Sequence, residues 1–419
     1  MFFAQVPIIS LFTKQNNLFM ETKACSGLDV HKDSIYAAVF KHNLCSEVRI
    51  FSTLTSDLKV LSQWLLSEGV ESIAMESTGI YWVPIWNILE REKFNLILVN
   101  PYFIKQMPGR KTDTKDAQWI AELLSKNLLK GSLVPSPQIR TLRFYSRAYV
   151  KRIQSITRVV LSIERILESA NIHITSMVSC IDSKTVMKVT KSIIEGETDS
   201  SKLIKYVHGR VVNRKGEKVV QALEGYVKDE HRYLLSQLMD EYESLTNQAN
   251  ELEKKMIEIG EQFYKEEIRL LKTIPGVSDQ SALQLIAETG GDMNAFQTSN
   301  KLAKWAGLCP RNDESAGKIK SKATTKGNNY LRRIIVQIAW ASCRVKGSYF
   351  QSFYRNLAFR KGNKKALIAV ARKQLIVTWN VLKAKKEYDP NLQPLMSKEQ
   401  LQSRKKYYEK ELNKLKNLI

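Results

Sequence analysis

The sequence predicts an α/β domain followed by a mainly helical region, α/β plus α. Three observations carry that prediction. Between Cys25 and Leu124 short β-like runs give way to alternating strand and helix patterns; between Ile153 and Phe263 apolar residues recur three and four apart; and beyond Leu270 helical segments bracket a polar loop.

The first region reads in order. SGLDVHKDSIYAAVF after Cys25 gives two strands joined by a polar turn, and SEVRIFST gives a third. A helix from Ser56 to Ser67 follows, with Leu58, Leu61, Trp64 and Leu65 at helical spacing. SIAME at 72–76 is a buried-strand run, Tyr81 to Lys93 a helix, NLILVN at 95–100 a strand, and Lys111 to Leu124 an amphipathic helix. Three strands and then alternating helix and strand is the order of an RNase H-like fold.

That order gives four acids meaningful positions. Asp29 lies on the first strand, Glu76 ends the fourth, and Asp113 and Asp116 open the last helix, where residues three apart share a face. Adjacent strands and a packed helix could gather all four. Four oxygen donors suit hard cations, Mg²⁺ or Mn²⁺, which take their remaining ligands from water and phosphate. Two such ions could stabilise both the attacking and the leaving oxygen of a phosphodiester. Lys105, Arg110, Lys111 and Lys115 surround the helical pair. The same two acids would also suit an ordinary helix N-terminus. His31, beside Asp29, reads as structural.

Pro135 and Pro137 mark a boundary. Beyond it Ile153, Ile156, Val160, Ile163, Leu167 and Ala170, then Leu235, Leu238, Tyr242, Leu245, Ala249, Leu252, Met256, Ile259 and Phe263, hold three-four spacing. This is the pattern of a coiled-coil arm that spaces domains or dimerises, or else of long helices packed on their own domain. Residues 175–218 between the two runs carry no readable role.

LLKTIPGVSDQSALQLIAETG places a Pro-Gly turn between two helices, as a helix-hairpin-helix does when its turn amides receive a phosphate. Residues 305–318 then read as a loop of polar and small residues. It is not a phosphate-binding P-loop, since Gly317-Lys318 is followed by Ile319 and Asn312 stands where the first glycine belongs. Ser315 in this loop precedes Ala316 and Gly317, and its basic neighbours Lys318, Lys320, Lys322, Lys326, Arg332 and Arg333 could bind a transferred phosphate.

Charge names the partner class. The chain of 419 residues carries a formal +23, and residues 301–386 hold 21 Lys and Arg against two acids, Asp313 and Glu314, so that segment contributes +19. Nucleic acid is the polyanion this predicts. Trp305, Tyr330, Trp340, Tyr349, Phe350, Phe353 and Tyr354 are interleaved there as stacking or core residues. Five scattered cysteines without a CxxC pair fit reduced thiols in the cytoplasm and argue against a zinc module. No apolar run reaches the roughly 18 residues of a membrane span, and the apolar first 19 residues lack a basic start and a small-residue cleavage site.

GLDVHKD, AMESTG, NPYFIKQMPGRKTDTKDA, IPGV and GLCPRNDESAGK…TKGNNYLRR, in this order over about residues 25–385, resemble the DEDD-type insertion-sequence transposases, the insertion-sequence one-ten family with its Piv-like DNA invertases. The resemblance implies a RuvC-like domain with Asp29, Glu76, Asp113 and Asp116 as its acids, and a transposase domain whose serine nucleophile maps to Ser315. Some relatives carry two adjacent hydroxyl residues there; here the neighbours are Glu314 and Ala316, which leaves Ser315 alone. It further implies donor and target DNA as substrates, a structured guide RNA from the same element, and a homo-oligomer, dimer or tetramer, with sites shared across protomers.

The expected domains are an extension over 1–24, the RuvC-like domain over 25–134, a coiled-coil arm with an insertion over 135–265, the transposase domain over 266–385 and a basic tail over 386–419. Ser315 and the four acids would cut and rejoin DNA through a serine ester, and Arg332 or Arg333 would offset developing charge. The alternatives are a metal-dependent junction-resolving nuclease in which Ser315 is structural, and a non-catalytic nucleic-acid-binding protein.

Overall fold

The computed structural model describes residues 24–101, 113–311, 313–315, 318–321 and 323–390, with residues 402, 405, 409, 412 and 413 beyond them. Asp113, Ser315, Lys318 and Lys320 are described by their backbone. The chain divides into two units, residues 1–134 and 135–419.

The first unit is built on one mixed sheet. Its strands are β1 (Cys25–Val30), β2 (Ser34–Lys41), β3 (Leu44–Cys45), β4 (Arg49–Ser52), β5 (Ser72–Glu76), β6 (Asn95–Val99) and β7 (Gly131–Ser132). β1 pairs antiparallel with β2, whose outer edge carries both β3 and β4; on its other side β1 pairs parallel with β5, and β5 parallel with β6. Parallel neighbours need crossovers. Helices α1 (Thr55–Ser67) and α2 (Trp82–Leu89) supply two of them.

Successive strand residues face opposite sides of a sheet, and both sides here are covered. Leu28, Val30, Ile73, Met75 and Leu98 pack with Leu58, Leu61 and Leu65 of α1 and Ile85 and Leu89 of α2. The alternate residues Cys25, Ala74 and Val99 pack with Ile120, Ala121 and Leu124 of α3 (Asp113–Ser125). α2 stops at Leu89, four residues short of the expected Lys93. The apolar spacing ends there, and Glu90 to Lys93 have nothing to bury, so the chain turns toward β6.

Gly27 decides how closely α3 can approach. A Cβ at that position would lie 2.3 Å from the Ala117 carbonyl oxygen and 2.4 Å from the Ala121 amide nitrogen. Backbone, not a flexible side chain, fills the space.

The second unit is mostly helical. α4 (Pro137–Ser169) opens on Ser136, whose hydroxyl accepts from the Ile139 amide, with proline in the first helical turn. α5 (Lys184–Ile194), α6 (Ser200–Leu203) and α7 (Gly209–Leu223) follow, and α8 (Asp229–Phe263) returns along α4. The pair is antiparallel: Arg152 Nε donates to Gln248 Oε1 at 2.8 Å, while Val160, Ile163 and Leu167 share a core with the earlier Leu235 and Met239.

The three-four stripes divide between two cores. Ile156 to Ala170 and Leu235 to Leu245 join a cluster completed by Val186, Val189, Ile193, Leu203, Val219 and Leu223 of α5 to α7. Met256 and Ile259 join the core of the C-terminal helices. Residues 175–218, unreadable in the sequence, therefore hold the helices that close the outer end of the α4–α8 pair.

α9 (Lys265–Lys272) and α10 (Asp279–Thr289) flank the Pro275-Gly276 turn, and α11 (Ser299–Trp305), α12 (Asn329–Ser342), α13 (Tyr349–Lys361) and α14 (Asn363–Ala384) complete the unit. Every residue of α10 from Ser281 to Thr289 is buried. Gly276, at φ 88°, is where a Cβ would come within 2.8 Å of backbone atoms of Ile338 and Ser342, and the Pro275 carbonyl accepts from buried Gln374 at 2.7 Å. The Val277 amide donates to Ile274 O and the Ser278 amide to Ser281 Oγ. Two helices do flank the Pro-Gly turn, as a helix-hairpin-helix requires, but these two turn amides serve the protein itself.

A single buried acid ties three elements together. Glu288, 1 % exposed, takes both Arg147 donors, Nε to Oε1 and Nη2 to Oε2, each at 2.8 Å, and accepts from Asn328 Nδ2 at 2.6 Å. Arg143 donates to the backbone carbonyls of Ala287 and Glu288. Asn328 in turn caps α12, its Oδ1 accepting from the Tyr330 and Leu331 amides. α4, α10 and α12 thus meet at one carboxylate.

Two outcomes follow. Gly27→Ala should destabilise the first unit by about 2 kcal/mol, the cost of overpacking against backbone, read as a lower midpoint of chemical unfolding. Glu288→Gln should cost about 3 kcal/mol, since removing one charge of a buried pair strands the other; Arg147→Lys, which keeps the charge but loses the two-pronged geometry, should cost less in the same measurement.

Candidate active site

Strand alternation places two of the acids on one face of the sheet. Asp29 follows Gly27 by two on β1, and Glu76 follows Ala74 by two on β5, so both carboxylates leave the sheet on the face that α3 covers. β1 and β5 are parallel, with Leu28 opposite Met75, which sets Asp29 and Glu76 side by side at the carboxyl ends of their strands. Asp116 belongs to the first turn of α3, next to the Ala117 that touches Gly27. Asp113 lies one turn earlier on the same helix.

Electrostatics records this proximity. Burial pushes the Asp29 carboxyl above its ordinary value; His31 pulls it back by its charge and a hydrogen bond, and Glu76 and Asp116 push it up again. His31 Nε2 donates to Asp29 Oδ2 at 3.2 Å and the imidazole stands edge-on to Tyr36. Thr78 donates its hydroxyl to Glu76 Oε1 at 2.9 Å. No three of the described His, Cys, Asp and Glu side chains stand close enough together to hold a metal ion. The donor set still fits a hard cation in kind: all carboxylate oxygen, grouped on one face, and carrying like charges whose repulsion a divalent ion would relieve.

Ser315 belongs to a β-ribbon and not to the open loop expected. β8 (Asp313–Ser315) and β9 (Lys318–Ser321) pair antiparallel, with Ser315 opposite Lys318 and Glu314 opposite Ile319. Pairing continues downward: Arg311 N donates to Ala323 O, Thr325 N to Cys309 O, and Asn328 N to Trp305 O. Ser315 is the last residue of its strand, at the opposite end of the ribbon from the Trp305–Asn328 pairing. Sequence patterning missed the ribbon because strands of three and four residues are too short for a period of two to show.

The root of the ribbon is tightly built. Gly327 packs on Gly307, where a Cβ would lie 2.3 Å from the Gly307 amide, and Arg332 Nη1 donates to Gly307 O and Thr324 Oγ1, both at 2.9 Å. Arg332 thus braces the arm. One nitrogen of Arg333, Nη1, is buried without a hydrogen-bond partner among the described residues. Lys326 is exposed and lines a cleft with Arg147, Trp305, Asn328 and Tyr330, where the Arg147 guanidinium sits 4.7 Å over the Tyr330 ring. Lys318 and Lys320 lie on β9; Lys322, Arg110 and Lys111 lie outside the described residues. The interleaved aromatics divide: Phe350 is fully buried and Tyr349, Phe353 and Tyr354 pack on the core, whereas Trp340 is 43 % exposed beneath the Arg344 guanidinium.

Three residues at these places carried little or no sequence signal. His31 was readable only as a structural neighbour, Thr78 has only its place two residues after Glu76, and Arg147 is one of many basic residues on a long helix. All five cysteines are free. Among the described residues no helix is long and apolar enough to cross a membrane.

Known sequences resolve what these features belong to. A DEDD transposase model of the IS110 type matches residues 26–172, and a model described as "Transposase IS116/IS110/IS902 family" matches residues 268–355. The chain is 29 % identical over 126 residues to the pilin gene-inverting protein of Moraxella bovis, covering 29 % of this chain and 39 % of that one. It is 30 % identical over 127 residues to the transposase for insertion sequence element IS1111A of Coxiella burnetii, covering 29 % and 35 %. An uncharacterized 42 kDa protein of insertion element IS900 from Mycobacterium paratuberculosis is 31 % identical over 123 residues, covering 29 % and 31 %. The match thus spans under two fifths of the length of these curated relatives. One model covers the sheet that bears the acids and the other the segment that bears the serine ribbon, in the order found here, and the chain belongs to the IS110 family of insertion-sequence transposases.

Proposed function

We propose that the protein cuts and rejoins DNA strands through a covalent ester at Ser315, with Asp29, Glu76, Asp113 and Asp116 holding divalent ions, Mg²⁺ or Mn²⁺, and a structured RNA from the same element selecting donor and target DNA. The supporting observation is the grouping of Asp29, Glu76 and Asp116 on one face of the sheet in a chain of transposase family. We take the first unit as RuvC-like, of RNase H-like fold, on the grounds that three antiparallel strands are followed by two parallel ones in the order β4-β2-β1-β5-β6.

The chemistry is conservative of bonds. The Ser315 hydroxyl attacks phosphorus and gives up its proton; the deoxyribose oxygen leaves and takes one. A second deoxyribose hydroxyl then attacks the serine ester and releases Ser315. Each step exchanges one phosphoester for another, so rejoining needs no nucleotide cofactor, whereas attack by water would end at cleavage. A bound divalent ion would supply Lewis-acid stabilisation of charge on the phosphate. Thr78 and His31 hold the carboxylates of Glu76 and Asp29 in fixed orientations. The sequence of each site would be read by base pairing, so no side-chain code for it is expected.

On a junction substrate Ser315→Ala should abolish both the protein–DNA adduct and strand exchange, a loss of at least about a thousandfold, and Asp29→Ala should do the same. If Ser315→Ala still cleaves, the junction-resolving nuclease reading replaces this one. Asp29 supplies an independent check. Its folded-state pKa is raised, so the native state holds the proton more tightly, and its contribution to stability declines as pH climbs from the ordinary carboxylate range through the raised value. Asp29→Asn in the presence of a chelator at neutral pH should therefore unfold at a higher temperature than wild type, and added Mn²⁺ should raise the midpoint of wild type but not of the variant.

A further inference from the structure

Among the described residues of the second unit, the most exposed large apolar side chain is on α13. Phe359 is 95 % exposed. The inner face of α13 is spent on the core, through Phe350, Phe353 and Tyr354. Its outer residues Ser352, Arg355, Asn356, Phe359 and Arg360 recur at helical spacing and are all exposed. This stripe contains a hydroxyl, two guanidinium groups, an amide and one bare phenyl ring, without an acid. The helix ends at Gly362, at φ 79°, and exposed Lys361, Lys364 and Lys365 flank the corner. Residues 349–386 hold ten Lys and Arg and no Asp or Glu.

A solitary phenyl ring on a polar helix face gains nothing in water. A second copy of this surface would bring like charges together, so self-association through it is opposed. Its charge complements a phosphate backbone, and its side-chain types match base edges: guanidinium to guanine, amide to adenine, phenyl to the thymine methyl group. We propose that the outer face of α13 docks in the major groove of duplex DNA, with Phe359 in apolar contact with a base and Arg355, Arg360, Lys361, Lys364 and Lys365 against the flanking phosphates. The major groove of B-form DNA admits a helix, whereas that of duplex RNA is too deep and narrow for its side chains. This rests on the transposase reading, which makes DNA the substrate, and adds protein-borne recognition to a substrate otherwise read by base pairing.

The test uses the full chain and fluorescently labelled duplex DNA, duplex RNA and single-stranded DNA, with anisotropy measured over a salt series. Phe359→Ala should weaken duplex DNA binding about tenfold while leaving the salt dependence unchanged. Arg355→Gln combined with Arg360→Gln should weaken it and lower the log–log salt slope by about 0.9 for each phosphate no longer neutralised. Phe359→Trp should retain affinity and show emission quenched on DNA addition beyond that of the native tryptophans. Duplex RNA binding should be indifferent to all three. Wild type that binds duplex DNA while Phe359→Ala binds equally well would overturn the surface and leave the transposase reading standing, as would an equal loss on duplex RNA or a changed molar mass in light scattering for Phe359→Ala. Wild type that forms no duplex DNA complex would likewise overturn the surface, while the adduct test at Ser315 decides the transposase reading separately.

Discussion

The approach of α3 to β1 at Gly27 is the constraint on which the acidic site depends. With hydrogen in place of a methyl group, the helix backbone comes down onto the strand at Ala117 and Ala121. Asp116, the neighbour of Ala117, is thereby brought toward the strand that carries Asp29 two residues further on. A helix held off by even one side-chain layer would leave Asp29 and Glu76 as two strand-end acids facing a gap. Close packing costs adaptability, because backbone atoms on both sides cannot shift separately. Burial in this close packing is the main reason the Asp29 carboxyl lies above its ordinary value, with Glu76 and Asp116 adding to it.

The second unit solves a different problem. A long helical pair, a helical core and a two-stranded ribbon are joined at one carboxylate. Glu288 does this by accepting from α4 through Arg147 and from the foot of α12 through Asn328. Asn328 also closes the ribbon, its amide donating to Trp305, and Arg332 one turn on reaches Gly307 and Thr324. These contacts tie the ribbon to the helical core at its root. Buried ion pairs contribute less to net stability than to fixing one arrangement, and here the arrangement concerns where the arm points.

Much of this was legible beforehand and for identifiable reasons. The strands around Asp29 and Glu76 alternate against two covered faces, and α1 and the long helices have apolar spacing strict enough to locate within a few residues. The family motifs retain their order, so the acids and Ser315 could be named without knowing their distances. Other features left no mark. Residues 175–218 bury Val186, Val189, Ile193 and Leu203 in short helices whose periods are too brief to stand out. The β8–β9 ribbon looked like a loop because its strands, Asp-Glu-Ser and Lys-Ile-Lys-Ser, are too short to show an alternation. The basic stretch over residues 301–386 gave no hint that Arg332 is occupied with its own backbone or that Phe359, unlike its aromatic neighbours, has no place in the core.

The amino-acid sequence by itself determined the mixed α/β class of the first unit and the helical class of the second, pointed to the acids and the hydroxyl as candidates, and set the net charge of +23. These depend on local spacing, on side-chain chemistry and on summed charge, all of which survive without a fold. Only tertiary structure decided that Gly27 admits α3, that Thr78 and His31 orient particular carboxylates, that Glu288 joins three distant segments, and that Phe359 stays in solvent. Each of those is a relation between residues far apart along the chain or on opposite sides of an element, and such relations come into being when apolar faces are buried and backbone polar groups find their partners.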